Sequence, residues 1–251
     1  MATVSGAPVA SSLRLPNRRV EHAFFQAMAV LLTVAMIVGF ARTYFLAGVF
    51  RAKLPNPLIH IHGAVFTCWF LLLLVQSALA SLHRVDLHRR LGIAGIVVAS
   101  LMLPLGILAT AEYVVREAAR PRVLLAAVMP ITEVSTFSVL VAAAFLLRRS
   151  PDLHKRLILL ATIALMGAAL GRMEFLPFWH FRGIAAIRLV WVYTYIFVVP
   201  IAAYDLWSIR KLNRATVWGS LFMISLQQGM LLVATSPQWN AVARWMQSWG
   251  I

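Results

Sequence analysis

The chain alternates long apolar runs with short polar segments, and this pattern predicts its architecture. A hydrocarbon core about 30 Å thick takes about 20 residues of α-helix to cross. Seven runs are long enough: residues 23–46, 56–81, 88–111, 123–147, 154–174, 184–207 and 215–235. The sequence therefore predicts an all-α bundle of seven transmembrane helices. We expect a transmembrane domain over residues 23–235, preceded by a cytoplasmic tail over residues 1–22.

The segment after the seventh run has a different periodicity. Over residues 236–251, apolar side chains recur with i, i+3, i+4, i+7 spacing at Trp239, Val242, Ala243 and Met246, and Trp249 continues the pattern. Such spacing places them on one face of a helix. We expect a C-terminal amphipathic helix that lies in the membrane interface. Docking of the same face on a partner subunit is the alternative.

The composition independently indicates an integral membrane protein. Hydrophobic residues make up 61% of the chain, charged residues only 12%, and the mean hydropathy is +0.83. A soluble domain this apolar would expose large adhesive patches. Cys68 is the single cysteine, which rules out an intrachain disulfide and a thiolate-based metal cluster.

The net charge of +15 comes from basic residues clustered between the apolar runs. Thirteen Lys and Arg residues fall on the face of the N-terminus and seven on the opposite face, which predicts an N-in, C-out orientation. The sequence has no basic stripe or aromatic stacking platform, so nucleic acid is not an expected partner. Anionic lipid headgroups are the expected partners of this charge.

Two similar hexapeptides open the third and fifth runs. They are Asp86-Leu-His-Arg-Arg-Leu91 and Asp152-Leu-His-Lys-Arg-Leu157, and each Asp is a predicted helix N-cap. Because the two helices run parallel, His88 and His154 should lie at similar depth, kept neutral by the positive helix ends. Paired imidazoles can bind haem b or a non-haem metal. The alternative is a pair of interfacial histidines bonded to carbonyls or lipid phosphates.

A second group of polar residues is predicted in the outer half of the bundle. His60 and His62 point to opposite sides of their helix, so His62 is the better interior candidate and His60 can reach the headgroups. Glu133 falls near the midplane of the fourth run, where a carboxyl must be protonated, paired or bound to a cation. His60, His62 and Glu133 are therefore the candidate metal ligands.

The main candidate site is an outer pocket built around His62, Glu133, Arg172 and Glu174. Arg42 and Arg188 are expected to contribute to the same pocket, beside Arg172. The alternative is a salt-bridge and hydrogen-bond network that only fixes helix packing. No hydrolase, zinc-protease or phosphate-loop motif is present, and the sequence does not decide whether the protein is an enzyme.

Three segments carry a resemblance to a known family: Leu58-Ile-His-Ile-His-Gly-Ala64, Leu87-His-Arg-Arg-Leu-Gly92 and Leu153-His-Lys-Arg-Leu-Ile158. They resemble a bacterial family of multi-span membrane proteins of unknown function, over roughly residues 56–175. The resemblance implies a bacterial inner-membrane location and marks a set of positions without assigning an activity: His62, His88, Gly92, His154 and Arg172.

The chain is also loosely similar to transmembrane b-type cytochromes, which hold haem between histidines of neighbouring helices. It departs from them because His88 and His154 start their helices and His62 has no obvious partner imidazole. With these departures, the likeness implies one inner haem, or none, rather than two.

Three hypotheses about function follow. The leading one is a redox protein that binds haem b through His88 and His154, with an outer pocket for a quinone, a metal or a small substrate. The second is a non-enzymatic subunit or assembly factor of a larger membrane complex, or a homo-oligomer. The third is a carrier for a small anionic or metal solute that uses Arg42, Arg172 and Arg188.

Overall fold

The computed structural model describes residues 18–52, 56–119, 123–176 and 180–249, and in these ranges the chain is helical, with no β-strand. Most of the predicted tail, residues 1–17, lies outside the described residues. The helices are α1 (Arg18–Phe40), α2 (Pro57–Ser81), α3 (Val85–Arg116), α4 (Val123–Ala126), α5 (Val128–Leu146), α6 (Pro151–Ala164), α7 (Met166–Leu170), α8 (Ile184–Tyr195), α9 (Val198–Ile209), α10 (Arg214–Val233) and α11 (Pro237–Gln247).

The prediction of seven membrane-spanning helices is confirmed in the described residues. A π-helical turn extends α1 to Phe45, and the pairs α4–α5, α6–α7 and α8–α9 each make one span, so seven segments are long and apolar enough to cross a membrane. The largest difference from the predicted ends is α3, which begins at Val85 and continues to Arg116. Below, the end of the bundle where α1 begins is the amino-terminal face, and the opposite end is the Arg42 face.

The fifth span is the central helix of the bundle. In its most apolar window 72% of the residues are buried, against 17% in each of the second and third spans. Small residues allow the close packing that this position requires. Gly39 of α1 illustrates it, since a Cβ there would stand 2.5 Å from the carbonyl oxygen of Ala169. Trp69 of α2 also reaches the central helix, where its Nε1 donates to Thr162 Oγ1 at 3.1 Å.

The prediction that Asp86 and Asp152 are N-caps is wrong. Both lie inside the first turn of their helices, and the capping positions are Arg84 and Ser150, neither of which makes a side-chain capping bond. Pro151 occupies the first turn of α6, where its missing N–H costs nothing, and it moves the helix start ahead of the aspartate. The aspartates still interact favourably with the positive helix ends.

A buried ion pair holds the amino-terminal face together. Arg156 belongs to the second hexapeptide. Its side chain is 3% exposed, and Asp205 is completely buried. Arg156 donates from Nε and Nη2 to Asp205 Oδ1 at 2.8 and 2.5 Å. Asp205 Oδ2 accepts from the Asn213 backbone N–H at 3.0 Å and from Thr216 Oγ1 at 2.6 Å. This carboxylate therefore ties the fifth, sixth and seventh spans together.

The C-terminal helix packs partly against protein. Trp239, Ala243 and Met246 are buried, and Trp239 Nε1 donates to the Leu124 carbonyl at 2.7 Å. Val242, by contrast, is 46% exposed. Three of the four residues at the i, i+3, i+4 and i+7 positions therefore contact the bundle. The location of this helix in the membrane interface stays a prediction.

Candidate functional site

The spans end at different levels at the Arg42 face, and the region beyond the end of the fifth span, beside the longer third span, is called the recess. The central fifth span has 20 residues and ends at Leu170, whereas the third span has 32 and ends at Arg116. At 1.5 Å per residue these lengths are about 30 and about 48 Å, and both spans begin at the amino-terminal face. The third span therefore projects beyond the end of the central helix.

Arg172 lies in this recess, two residues beyond α7. Its side chain is exposed. Its Nη1 donates to the Ala168 carbonyl at 2.5 Å, and its Cζ stands 4.4 Å from the centre of the Phe40 ring. No carboxylate of the described residues lies within ion-pair distance of it. Arg172 is thus an exposed cation without an ion-pair partner in the described chain.

Glu133 lies deeper in the bundle than Arg172. It is 2% exposed, and its Oε1 accepts no hydrogen bond from the described residues. The Trp191 indole N–H, which is also buried and unpaired, and the Ala168 backbone are the polar groups close enough to act on this carboxyl, together with the Arg172 charge. Gly167 is required beside it, because a Cβ there would overlap Glu133 Oε1. The carboxyl is therefore held tightly in place without being satisfied.

His62 is the third member of the group. Its ring packs on Phe66 with centroids 4.1 Å apart, and its buried Nδ1 has no partner in the described residues. Arg172 acts electrostatically on His62 as it does on Glu133, so the guanidinium connects the two. Gly63 allows the ring of Tyr44 to lie against α2, since a Cβ there would stand 2.9 Å from Tyr44 Cζ.

The remaining predicted pocket residues lie elsewhere. Arg42 and Glu174 form an exposed pair at 2.5 Å, with side chains 55% and 57% accessible, at the rim of the recess. Arg188 is exposed on α8, and no described contact joins it to the group. His60 is exposed, with Nδ1 3.3 Å from the Tyr44 hydroxyl. Within the described chain no three His, Cys, Asp or Glu side chains form a group that could hold a metal ion, so His60, His62 and Glu133 are not assembled as ligands.

The two histidines of the hexapeptides have matching environments. His88 Nδ1 donates to the Gln76 carbonyl at 3.2 Å, and His154 Nδ1 donates to the Ala144 carbonyl at 2.8 Å. A carbonyl oxygen can only accept, so in each ring Nδ1 carries a proton, and a neutral ring keeps its lone pair on Nε2. The two rings are close enough to interact electrostatically. Each Nδ1 bond also joins two consecutive helices, and this structural role alone would account for both histidines.

Sequence reasoning missed one polar group at the Arg42 face. Arg116 Nη1 donates to both Glu112 oxygens at 2.7 Å, and Asn56 Nδ2 donates to Glu112 Oε1 at 3.1 Å. The i, i+4 spacing of Glu112 and Arg116 was a readable signal. Trp191 was missed as well, and a tryptophan inside an apolar run gives no sequence signal of a polar role.

Comparison with known protein families, with curated proteins and with solved structures gave no match to this chain. The assignment of a function therefore rests on the geometry of the recess and of the histidine pair.

Proposed function

We propose that this multi-pass protein binds a small anionic solute in the recess at the Arg42 face and carries it across the membrane. We place it in a bacterial inner membrane, with its N-terminus inside, as the family resemblance and the distribution of basic residues suggest. The observation that carries the proposal is Arg172, an exposed guanidinium at the end of the central span without an ion-pair partner in the described residues.

The charge balance around Arg172 favours an anion. Burying an ionised carboxylate without an ion pair is very costly, so we expect Glu133 to be neutral in the resting protein. Its carboxyl then leaves the Arg172 charge uncompensated. An incoming carboxylate or phosphate can accept paired hydrogen bonds from the guanidinium. Glu133, Trp191 and His62 supply further polar atoms that now have no partner.

Thermal unfolding of the purified protein with a panel of small anions tests the proposal. The panel contains phosphate, acetate, lactate and succinate, each matched for ionic strength with chloride. An anion at one hundred times its Kd should stabilise the folded protein by about 2.7 kcal/mol. The stabilisation should disappear in Arg172→Gln and persist in Arg42→Gln, because Arg42 belongs to an exposed pair. Equal stabilisation of both variants would show that the anion does not use Arg172.

Transport is measured separately, with the same variants in proteoliposomes and the stabilising anion as a radiolabelled substrate. Uptake that requires Arg172 supports the carrier. Binding without uptake would limit the protein to a binding role.

We keep haem b binding by His88 and His154 as a second candidate function, because both Nδ1 atoms donate to carbonyls and both Nε2 lone pairs remain available. This is how haem and metal ligands are oriented by their surroundings. Bound haem would supply one-electron transfer. Absorption spectra of the purified protein, oxidised and reduced, test this candidate function. Soret and α bands that disappear in both His88→Ala and His154→Ala would support haem binding. A colourless protein purified from cells with ample haem would refute it. Membership of a larger membrane complex or a homo-oligomer remains a prediction.

A further inference from the structure

A second cavity lies at the Arg42 face, away from Arg172 and beneath the C-terminal helix. Its volume is about 500 Å³, within the range of ligand sites, and it is partly open to the outside. One wall is apolar and comes from α4, with Val123, Leu124 and Leu125. The other wall comes from α11 and is polar, with Asn240, Arg244 and Gln247.

The polar wall is built by helical spacing. Asn240, Arg244 and Gln247 are four and three residues apart, so they share one stripe of α11. Arg244 is exposed and has no ion-pair partner in the described chain. The described residues accept no hydrogen bond from the Asn240 or Gln247 side chain either. The cavity therefore presents one cation and two amides, all available to an acceptor.

The surroundings of the cavity indicate its depth in the membrane. Three residues separate the end of the seventh span from the start of α11, so this helix lies near the end of that span. Trp245 is 60% exposed, and it packs edge-to-face on Trp249 with ring centroids 4.8 Å apart. Exposed tryptophans concentrate at the level of the lipid headgroups. The cavity thus opens at the level of the phospholipid headgroups, between the water that faces the phosphate and the apolar region that holds the acyl chains.

We propose that this cavity binds the headgroup of an anionic phospholipid. Arg244 pairs with the phosphate diester, Asn240 and Gln247 donate to phosphate and headgroup oxygens, and the α4 wall contacts the first methylenes of an acyl chain. The occupant follows from charge complementarity on one wall and apolar contact on the other, which a soluble phosphate ester would use only in part. The site is independent of Arg172 and of the proposed anion transport.

Native mass spectrometry of the detergent-purified full chain, titrated with defined lipids, tests the proposal. Phosphatidylglycerol should bind more tightly than phosphatidylcholine. Arg244→Gln should weaken phosphatidylglycerol binding about fivefold, the contribution of one basic residue near an anionic surface. Arg182→Gln is the matched control, because Arg182 is exposed and does not line the cavity.

Two further arms separate a built site from general attraction. Ala118→Phe fills the cavity without changing any charge, and it should also weaken phosphatidylglycerol binding. Glycerol 3-phosphate should fail to displace the lipid at millimolar concentration. Equal losses in Arg244→Gln and Arg182→Gln, normal binding by Ala118→Phe, or displacement by glycerol 3-phosphate would each overturn the proposal.

Discussion

Replacing Asp205 by alanine should destabilise the protein more than any substitution at the exposed Arg42–Glu174 ion pair. The change leaves the Arg156 guanidinium buried without a countercharge, because only 3% of that side chain is accessible. It also removes the acceptor of the Asn213 N–H and the Thr216 hydroxyl. All four hydrogen bonds to this carboxylate are lost together.

The magnitude follows from burial. Removing one partner of a buried ion pair costs about 3–5 kcal/mol, since the other charge stays desolvated. The unpaired N–H and hydroxyl would add about 1–3 kcal/mol each if nothing relaxed, so the lower range is a minimum. Glu174→Ala breaks a pair whose side chains are more than half exposed, and an exposed pair contributes about 0–1 kcal/mol. The two substitutions should therefore differ by at least about 2 kcal/mol.

Reversible unfolding in mixed micelles, at increasing mole fraction of SDS, measures the free energy difference. A double-mutant cycle with Arg156→Met and Asp205→Leu isolates the pair, because the double variant leaves neither charge buried. We expect the double variant to be more stable than Asp205→Ala. Asp205→Asn, which keeps an oxygen acceptor, should lie between wild type and Asp205→Ala. A loss below about 1 kcal/mol in Asp205→Ala, equal to that of Glu174→Ala, would refute the reasoning.

Three other predictions concern close packing and the unpaired carboxyl. Gly167→Ala should disturb the Glu133 carboxyl and cost about 1–3 kcal/mol by overpacking, and adding Glu133→Ala should restore most of the loss in the same unfolding assay. Glu133→Leu should raise stability, because it replaces an unsatisfied buried carboxyl with an apolar side chain, but it should weaken anion binding in the thermal panel. Gly39→Ala should destabilise by a similar 1–3 kcal/mol because the Ala169 carbonyl leaves no room for a Cβ, whereas Gly95→Ala, with nothing nearby, should be neutral or stabilising; equal effects of the two would contradict the packing argument.

The sequence predicted the spans well because apolar length alone determines them, and this property is local. It also predicted His62, Glu133 and Arg172 in one pocket from their depths. The Arg172 charge acts on both His62 and Glu133, and the pocket itself stays a prediction. The sequence could not predict which of two adjacent basic residues, Lys155 or Arg156, points into the bundle. Lys155 pairs with Glu21 of α1, while the next residue, Arg156, turns about 100° around the helix to reach Asp205, 49 positions away.

The repeated hexapeptides show the same limit. Their sequences match at nearly every position, yet Arg90 of the first is exposed and Arg156 of the second is buried. The difference comes from the helices around them, since the fifth span is central and the third lies at the side of the bundle. The histidines, by contrast, keep equivalent roles, each donating from Nδ1 to a carbonyl of the preceding helix.

Asp205 and Glu133 are two buried carboxyl groups in one bundle, and the contrast between them locates function. Asp205 accepts four hydrogen bonds and joins three spans, so its burial is fully compensated. Glu133 is equally buried, but Oε1 accepts nothing from the described residues, and the Trp191 N–H and His62 Nδ1 are left unpaired as well. The four hydrogen bonds to Asp205 show that this fold can supply donors to a buried carboxylate, so the unpaired Oε1 of Glu133 needs its own reason. Unpaired buried polar groups are rare in native proteins and need an explanation. Because the Arg172 charge acts on Glu133 and His62, an anionic ligand that bonds to these groups when it binds is the explanation that we propose.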